Sequence, residues 1–107
     1  MFVLQPKPTF KLSVAIPRLD DEDATIEFEF NHKDRKGLKA YFDSLGEGET
    51  ARKDVDALGE LVKGWSGVDV KYSPDALGTL FDNFPGAPVA ILEAYTKALA
   101  EGKRKNS

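Results

Sequence analysis

The residues of this chain that could do chemistry are few, and their spacing works against it. His32 is the only histidine, so neither a multi-histidine metal cage nor a two-histidine proton relay can form. A lone imidazole without convergent partners reads as a residue near the end of a strand. Asp20-Asp21-Glu22-Asp23 offers carboxylate oxygens of the kind calcium or magnesium takes. It lacks the alternating ligands, central glycine and closing glutamate of a calcium loop. Consecutive acids also cannot all turn inward on one ion, so a solvated loop is expected. Ser13, Ser44, Ser66, Ser73 and Ser107 lie in no Gly-x-Ser-x-Gly elbow. Gly64 and Gly67 are followed by no Lys-Ser/Thr pair and do not cradle phosphate. Asp54 and Asp56 sit at i and i+2, which on a helix point to different sides. The chain has no cysteine, which removes thiolate nucleophiles and disulfides together and fits a reducing compartment. No enzyme, no metal and no cofactor is the expectation.

The elements that would have to position any site follow from periodicity. Phe10, Leu12, Val14 and Ile16 alternate with polar or small residues up to Pro17, and Ile26, Phe28 and Phe30 alternate with Thr25, Glu27, Glu29 and Asn31. Both are half-buried strands, close enough to form an antiparallel hairpin. The intervening segment has no glycine, so its loop should be longer than a two-residue turn. Leu38, Tyr41, Phe42 and Leu45 then fall at helical spacing, stopped by Gly46-Glu47-Gly48. Thr50 is the expected N-cap of the next helix. That helix carries Val55, Leu58, Leu61 and Val62, ends at Gly64, and has Trp65 continuing its apolar face. Val68, Val70 and Tyr72 alternate over a short span, as either a third strand or an extended connector. Ser73-Pro74-Asp75 is the clearest helix start, with a capping serine, proline at the first position and an acid in the first turn. Leu77, Leu80, Phe81 and Phe84 form the stripe of that helix. After Pro85-Gly86-Ala87-Pro88 a last helix runs from Val89, ends at Gly102, and carries Leu92, Tyr95 and Leu99, widened by Ile91 and Ala98. Strands first and helices after predict an α+β fold, an N-terminal hairpin packed against about four helices.

At 107 residues the chain is long enough for one domain, 1–107, with flexible ends at about 1–8 and 102–107. The net charge of −3, from 18 acidic and 15 basic residues, disfavours a phosphate-binding surface. Basic residues gather only at Lys33, Arg35, Lys36 and Lys39, diluted by acids, and at Lys103-Arg104-Lys105 in the tail. A small nucleic-acid-binding regulator is therefore the second reading. No apolar run approaches the ~20 residues that span a bilayer, and the N-terminus lacks the pattern of a signal peptide. A cytoplasmic protein without a membrane partner is expected. Trp65 suits either a core anchor or an interface hot spot, and its phase with Leu58 and Leu61 favours the core. The last helix is the better interface. The partner-binding candidates are Ile91, Leu92, Tyr95 and Leu99, with Trp65.

Five segments in order carry a resemblance. They are Pro8-Thr9-Phe10; Phe28-x-Phe30 with Lys33 and Arg35; Gly64-Trp65-Ser66-Gly67; Ser73-Pro74-Asp75-Ala76-Leu77; and Phe84-Pro85-Gly86-Ala87 through to Tyr95. Together they resemble the tail assembly chaperones of tailed phages and prophages, over about Pro8 to Leu99. The acidic, glycine-free hairpin loop departs from that pattern. The resemblance implies a non-enzymatic protein that binds the tape-measure protein and helps recruit tail-tube protein, directly or through a longer frameshifted product. It also implies action in the host cytoplasm and absence from the mature virion. A slippery run of G and A bases encoding Gly102-Lys103 would suit the frameshift.

Overall fold

The computed structural model describes residues 1–102; the basic tail from Lys103 onward, expected above to be part of a flexible end, lies outside the described residues. Strands β1 (Thr9–Ile16) and β2 (Ala24–Asn31) form the expected antiparallel hairpin. Phe10 pairs with Phe30, Leu12 with Phe28 and Val14 with Ile26. Every second residue therefore points to one face, and Phe28 and Phe30 are fully buried there. The long loop between the strands turns back on Arg18, whose Nε donates to the Glu22 carbonyl at 2.7 Å.

Helix α1 (Arg35–Ser44) starts at Asp34, whose carboxylate accepts from the Gly37 N–H at 2.7 Å. Tyr41 is its one buried residue, and its hydroxyl donates to the Ala57 carbonyl at 2.8 Å. That bond sets the rotation of the helix. Phe42, about 100° further round, is left 41% exposed rather than joining the stripe expected of it. Thr50 does not cap the next helix. It sits in a 3-10 turn, Gly48–Thr50, and its hydroxyl donates to the Glu47 carbonyl at 2.8 Å. The Arg52 N–H closes this loop on the Leu45 carbonyl at 2.8 Å. Helix α2 (Asp54–Leu61) begins four residues after Thr50, with Asp54 and Asp56 in its first turn complementing the helix dipole.

The largest departure from the periodicity comes next. Helix α2 stops at Leu61, and Val62–Ser66 is a strand, β3, antiparallel to β2 in a sheet of order β1-β2-β3. Gly64 is thus a strand residue, not a helix terminus, and Trp65 lies opposite Phe28. The stripe Leu58, Leu61, Val62, Trp65 has true helical spacing, which is why it reads as one helix. The structure achieves the same one-sidedness differently. Val62 faces Phe30, Gly64 faces Glu29, and the register slips by one residue at Lys63. Three residues apart, Val62 and Trp65 would face opposite ways in a regular strand; the bulge restores them to one side. Val68–Tyr72 is a connector, and the Trp65 Nε1 donates to the Val70 carbonyl at 2.9 Å to hold it down.

Helix α3 (Pro74–Asn83) is capped as expected, the Ser73 hydroxyl accepting from the Ala76 N–H at 3.0 Å. Helix α4 (Ala87–Glu101) begins two residues before Val89, because Pro88 fits the first turn, where no intrahelical donor is needed. Gly102 ends it with φ +67°. Leu77, Phe81, Ala87, Ile91 and Tyr95 are buried in one core with the inner face of the sheet and the apolar side of α2, α4 lying on β1 and α3 on α2 and α4. The outer face stays open, with Lys11, Ser13 and Thr25 exposed. The result is the α+β fold expected, an antiparallel sheet covered on one side by helices.

Candidate partner-binding surface

The five candidate interface residues do not share one surface. Ile91 and Tyr95 have no exposed area. Tyr95 lies 5.6 Å from Phe10 and 5.2 Å from Phe30, ring centre to ring centre, and its hydroxyl donates to the Asn31 carbonyl at 2.7 Å. These two residues hold α4 to the sheet and offer a partner nothing to touch in this fold. Trp65 is half-buried at the far edge of the sheet, packed edge-on against Phe28 at 6.2 Å and Tyr72 at 5.2 Å. Leu92 and Leu99 are different. Both are half-buried, and seven residues apart they lie on nearly the same side of α4.

Leu99 opens onto a groove of about 760 Å³ between the start of β1 and the end of α4. Its apolar lining is Pro6, Phe10, Ala98 and Leu99; Lys7, Lys11, Glu29 and His32 supply charge and hydrogen-bonding capacity. Two sequence features converge to make it. The His32 N–H donates to the Pro8 carbonyl at 2.8 Å, prolonging the hairpin by one pair and tying the end of the arm to it. The regular α4 then carries Leu99 three turns from its start, over Phe10. An apolar floor with a few polar rim groups suits an apolar side chain or helix face of another protein.

The periodicity did not point to the N-terminal arm as surface. Met1, Phe2, Val3 and Leu4 are all more than 70% exposed, four consecutive apolar side chains beside the groove's Pro6 and Lys7. The signal was present as an apolar run ahead of a proline. Phe42, Val70 and Val89 are exposed singly, which is ordinary for a protein surface.

Several charged side chains are tied to one another within the fold. Glu60 binds Lys33 at 2.8 Å and Arg52 at 3.0 Å, joining the end of the hairpin to α2 and the loop before it. The hydrogen bond from Lys33, with help from Arg52, holds the Glu60 carboxyl below the usual carboxylate range against the opposing effect of burial. Lys39 pairs with Asp43 at 2.8 Å on α1. Two of the four basic residues after the hairpin are thus neutralised locally, which weakens a phosphate-binding reading of that segment. The acidic hairpin loop faces solvent. Among the described residues, no group of three His, Asp or Glu side chains is placed to hold a metal ion. Among them also, no helix is long and apolar enough to cross a membrane.

Comparison with known families gives one full-length result. The profile of a family described as phage tail assembly chaperone matches residues 1–106. Neither the curated proteins nor the solved structures contain a match to the chain.

Proposed function

The chain belongs to the phage tail assembly chaperone family, and from that premise we propose that it binds the tape-measure protein and helps bring tail-tube subunits to it. It acts in the host cytoplasm and leaves no copy in the finished particle. The observation that carries this reading is the family match over residues 1–106. The geometry supports it with the apolar groove of Phe10, Ala98 and Leu99, flanked by Leu92 on the same side of α4. A long helical partner exposes apolar stripes that aggregate when left bare. A small protein of net charge −3 that covers such a stripe keeps the complex dispersed. No bond is made or broken in this work, which is reversible burial of apolar surface.

The test is co-expression with the tape-measure protein. Soluble tape-measure yield should rise with the wild-type chain and fall back with Leu99→Asp, which places a charge in the groove. Leu99→Asp must itself retain a cooperative melt for the comparison to count. An unchanged yield with the folded wild-type chain would overturn the proposal.

A further inference from the structure

The two ends of the segment 34–51 meet at one carboxylate. Lys33, just ahead of the segment, binds one oxygen of Glu60 at 2.8 Å, and Arg52, just after it, binds the other at 3.0 Å. Each end has a second tie to α2. The Asn31 side-chain amide donates to the Glu60 carbonyl at 3.1 Å, and the Arg52 guanidinium donates to the Asp56 carbonyl at 3.4 Å. The chain between leaves the domain and returns to it at the same place. What lies between is lightly held. No strand or other helix among the described residues runs alongside α1, and one of its ten residues is buried. Helix α4, by contrast, buries Ala87, Ile91, Tyr95 and Ala98 and lies on β1. Leu38 and Leu45 are half-buried at the margin of the core. The hold on α1 therefore rests chiefly on Tyr41, whose hydroxyl donates to the Ala57 carbonyl at 2.8 Å. Lys33 and Arg52 approach its ring at 5.6 and 6.0 Å, and Arg52 also donates to the Ser44 hydroxyl at 3.0 Å.

We propose that residues 34–51 open as one unit, a flap that leaves α2 when the Tyr41 hydroxyl parts from the Ala57 carbonyl, while the sheet and α2 to α4 stay folded. A region with few buried apolar contacts opens at a lower free energy than the core it rests on. The Glu60 clamp confines that opening. Lys33 and Arg52 keep their places on its two oxygens, so the motion does not spread into β2 on one side or α2 on the other. Within the flap, Gly46 and Gly48 turn the returning chain with positive φ, a backbone that changes direction without the steric cost a side chain would bring. Opening frees a helix whose apolar residues, Leu38, Tyr41, Phe42 and Leu45, lie at i, i+3, i+4 and i+7. Of these the closed chain leaves only Phe42 exposed. The flap thus switches the surface between a largely covered and a fully presented amphipathic stripe. This inference stands apart from the tape-measure reading.

Amide hydrogen exchange of the full chain, followed by NMR, tests this. The hydrogen-bonded amides of residues 38–45 should exchange at least about a hundredfold faster, relative to the unstructured chain, than the paired amides of β2. Low urea should hardly change the rates of 38–45, because a local opening exposes little surface, while it accelerates β2. Two variants separate the flap from the core. Tyr41→Phe should speed amides 38–45 roughly tenfold, the worth of one buried hydrogen bond. Tyr95→Phe lowers the cost of global unfolding and should speed β2, yet leave 38–45 unchanged. Amides 38–45 that share the rates and urea dependence of β2 overturn the proposal, since α1 would then open only with the whole fold. Equal acceleration of both regions by Tyr95→Phe does the same. Unchanged exchange of 38–45 in Tyr41→Phe overturns the assignment of Tyr41 as the pin.

Discussion

The hydroxyl of Tyr95, on α4, donates to the backbone carbonyl of Asn31 at the end of β2 at 2.7 Å, across 64 positions of sequence. Strand β3 pairs with β2 only as far as Phe30, so this carbonyl has no strand partner there. A side chain completes what the sheet leaves open, and the same contact seats the last helix on the hairpin.

Tyr95→Phe removes that donor while keeping the ring between Phe10 and Phe30. The orphaned carbonyl should cost about 1–3 kcal/mol, a fall in melting temperature of roughly 4–8 °C per kcal/mol for a domain of this size. Urea unfolding of the two proteins side by side measures it. A change below a few tenths of a kcal/mol would show that the bond carries no net stability.

Alkaline pH should act on the same residue. Burial first, and then the neighbouring Tyr41 and Glu60, push the Tyr95 phenol up to about 12. Burial also raises Tyr41 and Tyr72. Below pH ~10, where the unfolded phenol is also protonated, these groups leave stability flat. Above it the unfolded chain ionises first, so stability falls with rising pH until about 12 is passed. Tyr95→Phe should shallow that slope in urea titrations between pH 9 and 12.

Acid should act through Glu60. Its carboxyl is held low, chiefly by Lys33, so its contribution is present above the ordinary glutamate range and lost as pH falls through the folded value. The pair is partly exposed, and the effect should be at most about 1 kcal/mol. Glu60→Gln should remove that part of the acid-side decline, read from melting temperatures between pH 7 and 3.

Gly46 and Gly48 both have positive φ, +74° and +57°, but differ in their surroundings. A Cβ on Gly46 would lie 2.7 Å from the Thr50 carbonyl oxygen, whereas one on Gly48 would meet open space. Gly48→Ala should cost about 1–2 kcal/mol for the left-handed backbone alone. Gly46→Ala should cost distinctly more, and equal costs would rule out the close packing of this loop.

Deleting Lys63 should be tolerated better than a strand deletion usually is. Removing the bulged residue leaves Val62 and Trp65 two positions apart, still on the inner face of a now regular strand. The single tryptophan, packed on Phe28 and Tyr72, should keep an emission to the blue of the unfolded chain's. A red shift to the spectrum of the unfolded chain would show that the bulge is not what orients Trp65.

Much of this architecture is readable in the chain alone, where one local pattern dominates. The alternation of Phe10 to Ile16 and of Ile26 to Phe30, the Ser73-Pro74-Asp75 start and the Gly102 stop each depend on residues within a few positions of one another, and all appear as expected. The family resemblance likewise rested on short ordered motifs, and the family match extends over residues 1–106. Tertiary contacts decided the rest. Leu58, Leu61, Val62 and Trp65 satisfy helical spacing, yet β2 offers this segment a strand partner, through Glu27 opposite Ser66 and Glu29 opposite Gly64, and sets the Phe28 and Phe30 rings against Trp65 and Val62, which local periodicity cannot register. Tyr41 anchored to Ala57 turned Phe42 outward. Tyr95 and Ile91 became core because α4 lies over β1, leaving Leu92 half-buried on that helix and Leu99 at the margin of a groove whose other wall comes from residues some 90 positions earlier. A one-dimensional pattern specifies which side of an element is apolar; only packing specifies what that side meets.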